Sequence, residues 1–428
     1  MDEVFGSGKI RWITSIGAGL LVAAAGHAVA ATSSLSGGID NRYSDNSRLV
    51  ADNEESDLET RVNLNFGYLS DPGKCTSSVD MGLGYGYWHQ DTLDPTVYTD
   101  GSLSGQCELA RGLVWQASDR VSQVSQDSRE ADTRENRTRK NVFRTGPVYT
   151  MQLTRVDQLQ FSAAYAKTDF EEPEDPDSDR FTGSVAYNHS FSDTLQGGLS
   201  ASSERTELDT GEELDKESAS VTASKSWATT RVSGSIGVNR LETRLGSQEV
   251  SSDGITGSLN LVREINPTSA FTLSANRELT DQTSTLGFQF EDFNFNLTET
   301  AAVEVTAVRA GYNTGFSDGS SFSTELSASR SDYVQTDRRE ERAGIDLRYS
   351  RPVTELLSWF TNAGLERRRF EDEGSEDYLA RLSAGLDYQL TARMDIRSAI
   401  GHQQKTSDVA SREYDENWIS VSLNYRFF

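Results

Sequence analysis

The chain has 428 residues, 35% of them hydrophobic and 25% charged, and it carries a net charge of −25 at pH 7. Its 15 tyrosines, 18 phenylalanines and 6 tryptophans argue against a disordered acidic polymer, because disordered segments are poor in aromatic residues. The acidic balance disfavours a nucleic-acid partner, since phosphate binding requires clustered lysine and arginine. Two cysteines exclude a framework of several disulfides and a four-thiolate zinc site.

The first thirty residues have the pattern of a secretory signal peptide. Lys9 and Arg11 precede a run of apolar and small residues, and Ala28-Val29-Ala30 has the form of a cleavage site. We therefore predict a signal peptide over residues 1–30, cleaved after Ala30, and an exported domain over residues 31–428. No later segment approaches the roughly 20 apolar residues of a membrane helix, so any crossing of a membrane must use β-strands.

From Ser33 onward, apolar residues alternate with polar or small ones, as in strands with two unlike faces. The segment 378–390 is a clear example, with an apolar residue at every second position. Such segments recur and predict an all-β protein of about 20 strands, with 18 as the alternative even number. Strands are hardest to assign at 112–124 and 140–154, and 281–300 could contain another short pair.

The connections between these segments fall into two alternating classes. Short turns at 71–73, 192–194, 266–268, 318–320 and 391–393 alternate with longer acidic connections at 44–57, 125–139, 171–179, 206–217, 243–252, 281–300 and 371–377. Short periplasmic turns and long external loops are typical of outer-membrane barrels. We therefore predict a single transmembrane antiparallel up-and-down β-barrel with a water-filled lumen and no separate plug, closed by pairing of Ser33–Tyr43 with the last strand.

The last strand resembles the C-terminal signal that the barrel-assembly machinery reads in outer-membrane proteins. It is amphipathic and ends in aromatic residues, with Tyr425 and Phe427 in the apolar phase and Phe428 as one additional residue. This resemblance implies the assembly machinery and outer-membrane lipid as partners, and an outer-membrane location.

The exported chain also resembles a family of outer-membrane barrel proteins associated with exopolysaccharide biosynthesis and exosortase (PEP-CTERM) systems. The resemblance covers most of residues 33–428 and rests on Ser33–Arg42, Arg144-Thr145-Gly146-Pro147 with Tyr149, Ser269–Asp281, and Leu423–Phe427. It implies that the protein accompanies polysaccharide export or secretion, with polysaccharide or periplasmic export components as partners. Two alternatives are a general or solute-selective porin, and a structural or adhesive surface barrel with an occluded lumen.

The polar phase of the last strands carries charges of both signs. The parity of the pattern places nine residues in the lumen: Asp346, Arg348, Glu366, Arg368, Arg381, Asp387, Asp395, Arg397 and Arg426. Several lie two to five residues from predicted periplasmic turns, so they could form a mixed-charge constriction that selects solutes. The alternative is ion pairing that stiffens the wall without touching a solute.

No catalytic, cofactor-binding or metal-binding pattern stands out, and we expect neither an enzyme nor a bound cofactor. His89, His189 and His402 fall on different strands, two of them in the apolar phase near strand ends, where an interfacial position explains them. No nucleophile elbow accompanies them. The acidic connection 171–179 contains two prolines, which favours a solvated loop over a calcium site.

Cys75 and Cys107 fall toward the periplasmic end of neighbouring strands, and export permits a disulfide between them. Hairpin symmetry about a loop at 91–98 places Cys107 nearer to Met81 than to Cys75. A bridge would then require an asymmetric loop, so the sequence leaves the pairing open.

Overall fold

The structure is a computed structural model that describes residues 31–172, 175–246, 248–281, 302–334 and 338–428. The predicted signal peptide and almost all of the connection 281–300 lie outside these ranges, so cleavage after Ala30 and the extra strand pair stay predictions. No helix in the described ranges is long and apolar enough to cross a membrane. The strands are β1 Thr32–Ser44, β2 Asp57–Leu69, β3 Cys75–Trp88, β4 Thr96–Ala110, β5 Leu113–Ser125, β6 Arg137–Gln152, β7 Asp157–Phe170, β8 Ser178–Ser192, β9 Leu195–Leu208, β10 Glu212–Ser226, β11 Thr230–Leu245, β12 Gln248–Asn266, β13 Ser269–Thr280, β14 Val303–Gly315, β15 Ser321–Tyr333, β16 Arg339–Pro352, β17 Leu357–Phe370, β18 Ser375–Thr391, β19 Met394–Ser407 and β20 Tyr414–Arg426.

These strands form one closed antiparallel barrel. Each strand pairs with its neighbours in the chain, and β1 pairs with β20 from Ser36↔Arg426 to Ser44↔Trp418. Closure leaves no unpaired sheet edge, which would otherwise be a site of aggregation. The prediction of 20 strands is confirmed and the alternative of 18 is wrong. The two segments that were hardest to assign are the regular strands β5 and β6.

The apolar phase of the strands faces outward. On β18, Tyr378, Leu382 and Leu386 are between 46% and 59% exposed, and similar side chains recur around the ring from Ile39 on β1 to Ile419 on β20. Leaving one such side chain in water forfeits about 1.5–3 kcal/mol of burial free energy. A continuous outward apolar band is therefore stable only against lipid, and the barrel spans a membrane.

The inward phase is polar and rich in hydroxyl groups. Ser200 and Ser220 are joined across β9 and β10 by a hydrogen bond of 2.7 Å, and Ser202 and Ser218 repeat this contact one row further along. These small hydroxyl side chains hydrogen-bond to one another along the wall. A 20-stranded ring is wider than the 16–18-stranded rings that already enclose an aqueous channel.

The two ends of the barrel differ in their connections. The end at which β1 begins and β20 ends has turns of two to five residues, and the five predicted short turns lie there. The opposite end has longer loops at 45–56 and 126–136, as predicted. Three predicted long connections are wrong. Strands β9 to β12 continue through 206–217 and 243–252 and turn sharply after Leu208 and Leu245, and the predicted connection 371–377 is a turn of four residues between β17 and β18. Outward-facing ion pairs such as Arg244–Asp215, at 2.8 Å, occupy these strand extensions.

The outer ends of β13 and β14 bend into the barrel. Pairing between β12 and β13 ends at Gly257↔Arg277, whereas β13 continues to Thr280 in pairing with β14. Leu279 then packs against the lumen-facing Leu208, Leu214 and Leu241 of β9 to β11 in a small apolar cluster. These bent ends narrow the mouth of the barrel from one side.

Cys75 and Cys107 lie directly opposite each other on β3 and β4 and are joined by a disulfide. The predicted register, with Cys107 nearer to Met81, is wrong. The hairpin pairing begins at Gly86↔Thr96, and β3 continues to Trp88 in pairing with β2 alone. The centre of the hairpin therefore lies at residue 91, several residues before the centre of the predicted loop at 91–98.

Candidate functional site in the lumen

Loop 126–136, between β5 and β6, folds into the barrel and contacts the wall across the lumen. The carbonyl oxygen of Ser128 accepts a hydrogen bond of 2.6 Å from Arg368 on β17, and that of Arg129 accepts one of 2.8 Å from Lys405 on β19. Counting back from β5 through β1 and β20, β17 is eight strands away in a ring of 20. The loop therefore crosses most of the lumen.

The side chain of Arg129 fixes the tip of this loop to the opposite rim. Its guanidinium lies 2.7 Å from the carboxylate of Asp372 and 3.0 Å from that of Glu373, in the turn that follows β17. Only 15% of the Arg129 side chain is exposed. Beside it, the hydroxyl of Ser128 donates to Glu340 at 3.1 Å. Side-chain and backbone contacts thus hold the tip together.

Asn136 organises the interior of the loop. It is 4% exposed, and its amide nitrogen donates to the carbonyl oxygens of Asp127 and Ala131 at 2.7 and 3.1 Å and to the hydroxyl of Ser125 at 3.2 Å. Its side-chain oxygen accepts from the backbone nitrogen of Asp127 at 2.8 Å. One buried amide therefore gives the loop a fixed shape without an apolar core.

A cavity of about 770 Å³ lies between this loop and the wall formed by β14 to β20. Its charged lining comprises seven basic residues, Arg137, Arg309, Arg342, Arg348, Arg368, Arg381 and Lys405, and six acidic residues, Glu130, Asp132, Glu325, Asp346, Glu366 and Asp377. Glu130 and Asp132 belong to the loop, and most of the others belong to the wall. A solute in this cavity would contact both.

The nine lumen predictions fall into two groups. Five of the nine residues line the cavity, namely Asp346, Arg348, Glu366, Arg368 and Arg381. The others lie toward the end with the short turns: Asp387 and Arg397 form an ion pair of 3.7 Å, Asp395 accepts a hydrogen bond of 3.1 Å from Asn424, and Arg426 ends β20.

A constriction near the periplasmic turns stays a prediction for the four residues at that end, whereas the other five line the cavity beneath loop 126–136. Sequence reasoning also missed Arg342 and Lys405, although both share the parity of the predicted lumen residues. It missed the loop entirely. The available signal there was basic Arg129 inside a connection that was otherwise read as an acidic external loop.

A second cavity, of about 460 Å³, lies against β2 to β7. It is lined mainly by hydroxyl, amide and small side chains, among them Ser78, Ser104, Gln116 and Ser162, with Arg144 from the predicted family segment. The lumen thus offers polar surfaces on both sides of the crossing loop.

The histidines are placed apart from the cavity. His189 lies 2.7 Å from Asp157 at the end with short turns, His402 lies 3.0 Å from Asn417, and His89 contacts a threonine hydroxyl. Among the described residues, no group of three or more histidine, cysteine, aspartate or glutamate side chains could hold a metal ion. At the chain end, Phe427 packs edge-on against Tyr425, and the carbonyl of Phe428 accepts a hydrogen bond from Leu35 on β1.

The family model described as "Putative beta-barrel porin 2" matches residues 341–427, roughly a fifth of the chain. No curated protein matches the sequence. The outward apolar band is that of a membrane-spanning β-barrel, and the last fifth of the chain is similar to this family of outer-membrane porins.

Several solved structures have a similar fold at low identity. The FrpB iron transporter of Neisseria meningitidis is 10% identical, with 92% of this chain and 81% of that chain covered and a TM-score of 0.47. OmpT of Vibrio cholerae with loop L8 deleted is 10% identical, with 93% and 100% covered and a TM-score of 0.39. OccK3 of Pseudomonas aeruginosa is 13% identical, with 92% and 96% covered and a TM-score of 0.40. At these identities no ligand or activity is carried over to this chain.

Proposed function

We propose that the protein is a solute-selective pore whose passage is narrowed by loop 126–136. The observation that carries this proposal is the crossing of that loop to Arg368 and Lys405, inside a wall lined with hydroxyl groups and charges. In porins, rings of charge and the width of a constriction set which solutes pass. The bent ends of β13 and β14 narrow the same mouth and leave a passage suited to small hydrophilic solutes.

Within this architecture, export of an exopolysaccharide is the finer proposal, and the resemblance of the sequence to barrels of exopolysaccharide systems supports it. A polymer would have to thread past the crossing loop, so export would require the contacts of Ser128 and Arg129 with the opposite wall to break. General diffusion of small solutes requires no such movement. The two roles therefore differ in what they demand of the loop.

Planar-bilayer recordings of the refolded protein test the pore. The wild type is expected to conduct ions in small steps, and a variant with residues 127–135 replaced by a short Gly-Ser linker is expected to conduct in larger ones. The matched control places the same linker chemistry at the exposed turn residues Asp209 and Thr210, and its conductance should equal that of the wild type.

Absence of current from both the wild type and the loop-shortened variant would end the pore proposal and favour an occluded surface barrel. Heat-dependent migration in detergent gels confirms that each variant is folded. In cells, accumulation of polysaccharide behind the outer membrane of a deletion strain would support export, whereas normal secretion of polysaccharide would leave diffusion of small solutes as the role.

A further inference from the structure

One carboxylate in the cavity wall is surrounded by three arginines. Glu366 on β17 is 4% exposed and accepts from Arg368 on its own strand and from Arg342 on β16 at 2.7 Å. The guanidinium of Arg381 on β18 stands 3.9 Å from the same carboxylate. The single carboxylate of Glu366 is therefore shared by three guanidinium groups.

On the side of this cluster that faces the short turns, a second pair of opposite charges is held more loosely. Arg381 is 3.7 Å from Asp346, which is beyond hydrogen-bonding distance, and both side chains are more than 40% exposed. Gly364 lies between them on β17, where a Cβ atom would come within 2.8 Å of the Asp346 carboxylate. Arg348, one lumen-facing position further along β16, is exposed and makes no side-chain hydrogen bond or ion pair within the described part of the chain.

The remaining acids of the cavity do not neutralise this cluster. Three are already paired: Glu325 with Arg309 at 3.3 Å, Asp132 with Arg137 at 2.5 Å, and Asp377 with Lys405 at 2.9 Å. Glu130 of the crossing loop is the one further acid in the lining, so an excess of one positive charge remains after all are counted. A cavity of positive balance inside a chain of charge −25 is suited to an anion.

The wall beside the cluster presents hydroxyl and amide groups. Asn313, Ser323 and Ser327 line the same cavity on β14 and β15. Guanidinium groups bind carboxylates through two parallel hydrogen bonds, while hydroxyl and amide groups satisfy sugar hydroxyls. We propose that the wall is a binding subsite for the carboxylate of an acidic saccharide, held by Arg348 and Arg381. This inference deepens the proposed passage and rests on it for its biological meaning.

Isothermal titration of the folded protein in detergent tests the subsite without requiring ion current. Digalacturonate is the acidic probe, maltose the neutral one and inorganic phosphate the anion without sugar. Digalacturonate should bind most tightly, and a rise in salt concentration should weaken it. Arg348→Gln and Arg381→Gln should each weaken its binding about tenfold, the effect of losing one charge-assisted contact.

Arg397→Gln is the matched control, because Arg397 also faces the lumen but pairs with Asp387 outside the cavity. It should bind digalacturonate as the wild type does. Equal binding of maltose or phosphate, or unchanged binding by Arg348→Gln and Arg381→Gln, would overturn the acidic-saccharide subsite. Binding and conductance are separate measurements. If the protein binds digalacturonate but passes no current, the pore proposal is refuted and the subsite proposal stands.

Discussion

Arg129→Ala should release the tip of the crossing loop. The substitution removes the two ion pairs to Asp372 and Glu373 and leaves the backbone contacts of the tip with Arg368 and Lys405 in place. The substitution therefore tests the contribution of the Arg129 side chain separately from that of the backbone contacts. The expected result is a larger and noisier single-channel current, because the loop then leaves the lumen for part of the time.

The magnitude follows from the partial burial of these pairs. A hydrogen bond to a charged group contributes about 1.5–3 kcal/mol when buried, whereas an exposed ion pair contributes about 0–1 kcal/mol. Arg129 is 15% exposed and its partners are 22% and 29% exposed, so the two pairs fall between these limits. Together they amount to about 2–3 kcal/mol, or a shift of about 30- to 150-fold in the closed-to-open ratio. A loop closed for about 99% of the time would then be closed for about 40–77%.

Single-channel recording in planar bilayers measures this shift as open probability. Arg205→Ala is the matched control, since Arg205 also makes two ion pairs but lies on the outward face of β9. A double-mutant cycle with Asp372→Asn separates the pair energy from other effects of the substitution. Recordings of Arg129→Ala that cannot be distinguished from those of the wild type would refute the assignment of the loop as the constriction.

Three further predictions concern the loop, the bent strands and the disulfide. Asn136→Ala removes four hydrogen bonds and should speed tryptic cleavage of the folded protein within 126–136 several-fold, with no change in cleavage elsewhere. Leu241→Ala, at a site 2% exposed, should lower the free energy of unfolding by about 2–4 kcal/mol in urea titration, and a smaller loss would contradict the packing of the bent ends. Replacing both Cys75 and Cys107 with serine opens a loop of 32 residues and should lower the free energy of unfolding in urea titration by about 3–4 kcal/mol. Reductant should lower the stability of the wild type similarly and leave that of the double variant unchanged.

The barrel was predictable because its signal is local and repeated. The alternation around Leu382 and Leu386 shows the two faces of a strand, and twenty such segments require a closed ring because each needs two partners. The parity that placed Glu366 and Arg381 in the lumen comes from the same pattern. These inferences need no knowledge of which distant residues meet.

The crossing loop and the bent strand ends, which narrow the lumen, depend on contacts between residues far apart in the chain. Ser128 and Arg129 meet wall residues 240 and 276 positions further along the chain, and no period in the sequence reports that contact. The inward bend at Leu279 is similar, because this outward-phase leucine packs against lumen-phase leucines that lie two to four strands away. The predicted cysteine register is wrong for a smaller reason, because the loop was placed at 91–98 whereas β4 already begins at Thr96, so the centre of the hairpin is shifted by several residues.

The acidic excess also has a structural role beyond solubility. Asp372 binds Arg129 and, at 3.2 Å, Arg338. Glu373 binds Arg129 and, at 2.8 Å, Arg412. The turn that follows β17 thus binds three basic side chains, one of them from the loop that crosses the lumen. In the sequence the same turn has the pattern of a solvated acidic connection. Screening by salt weakens these partly exposed pairs. We therefore expect a rise in ionic strength to loosen the attachment of loop 126–136 to this rim, and salt anions to compete for the arginines beneath the loop.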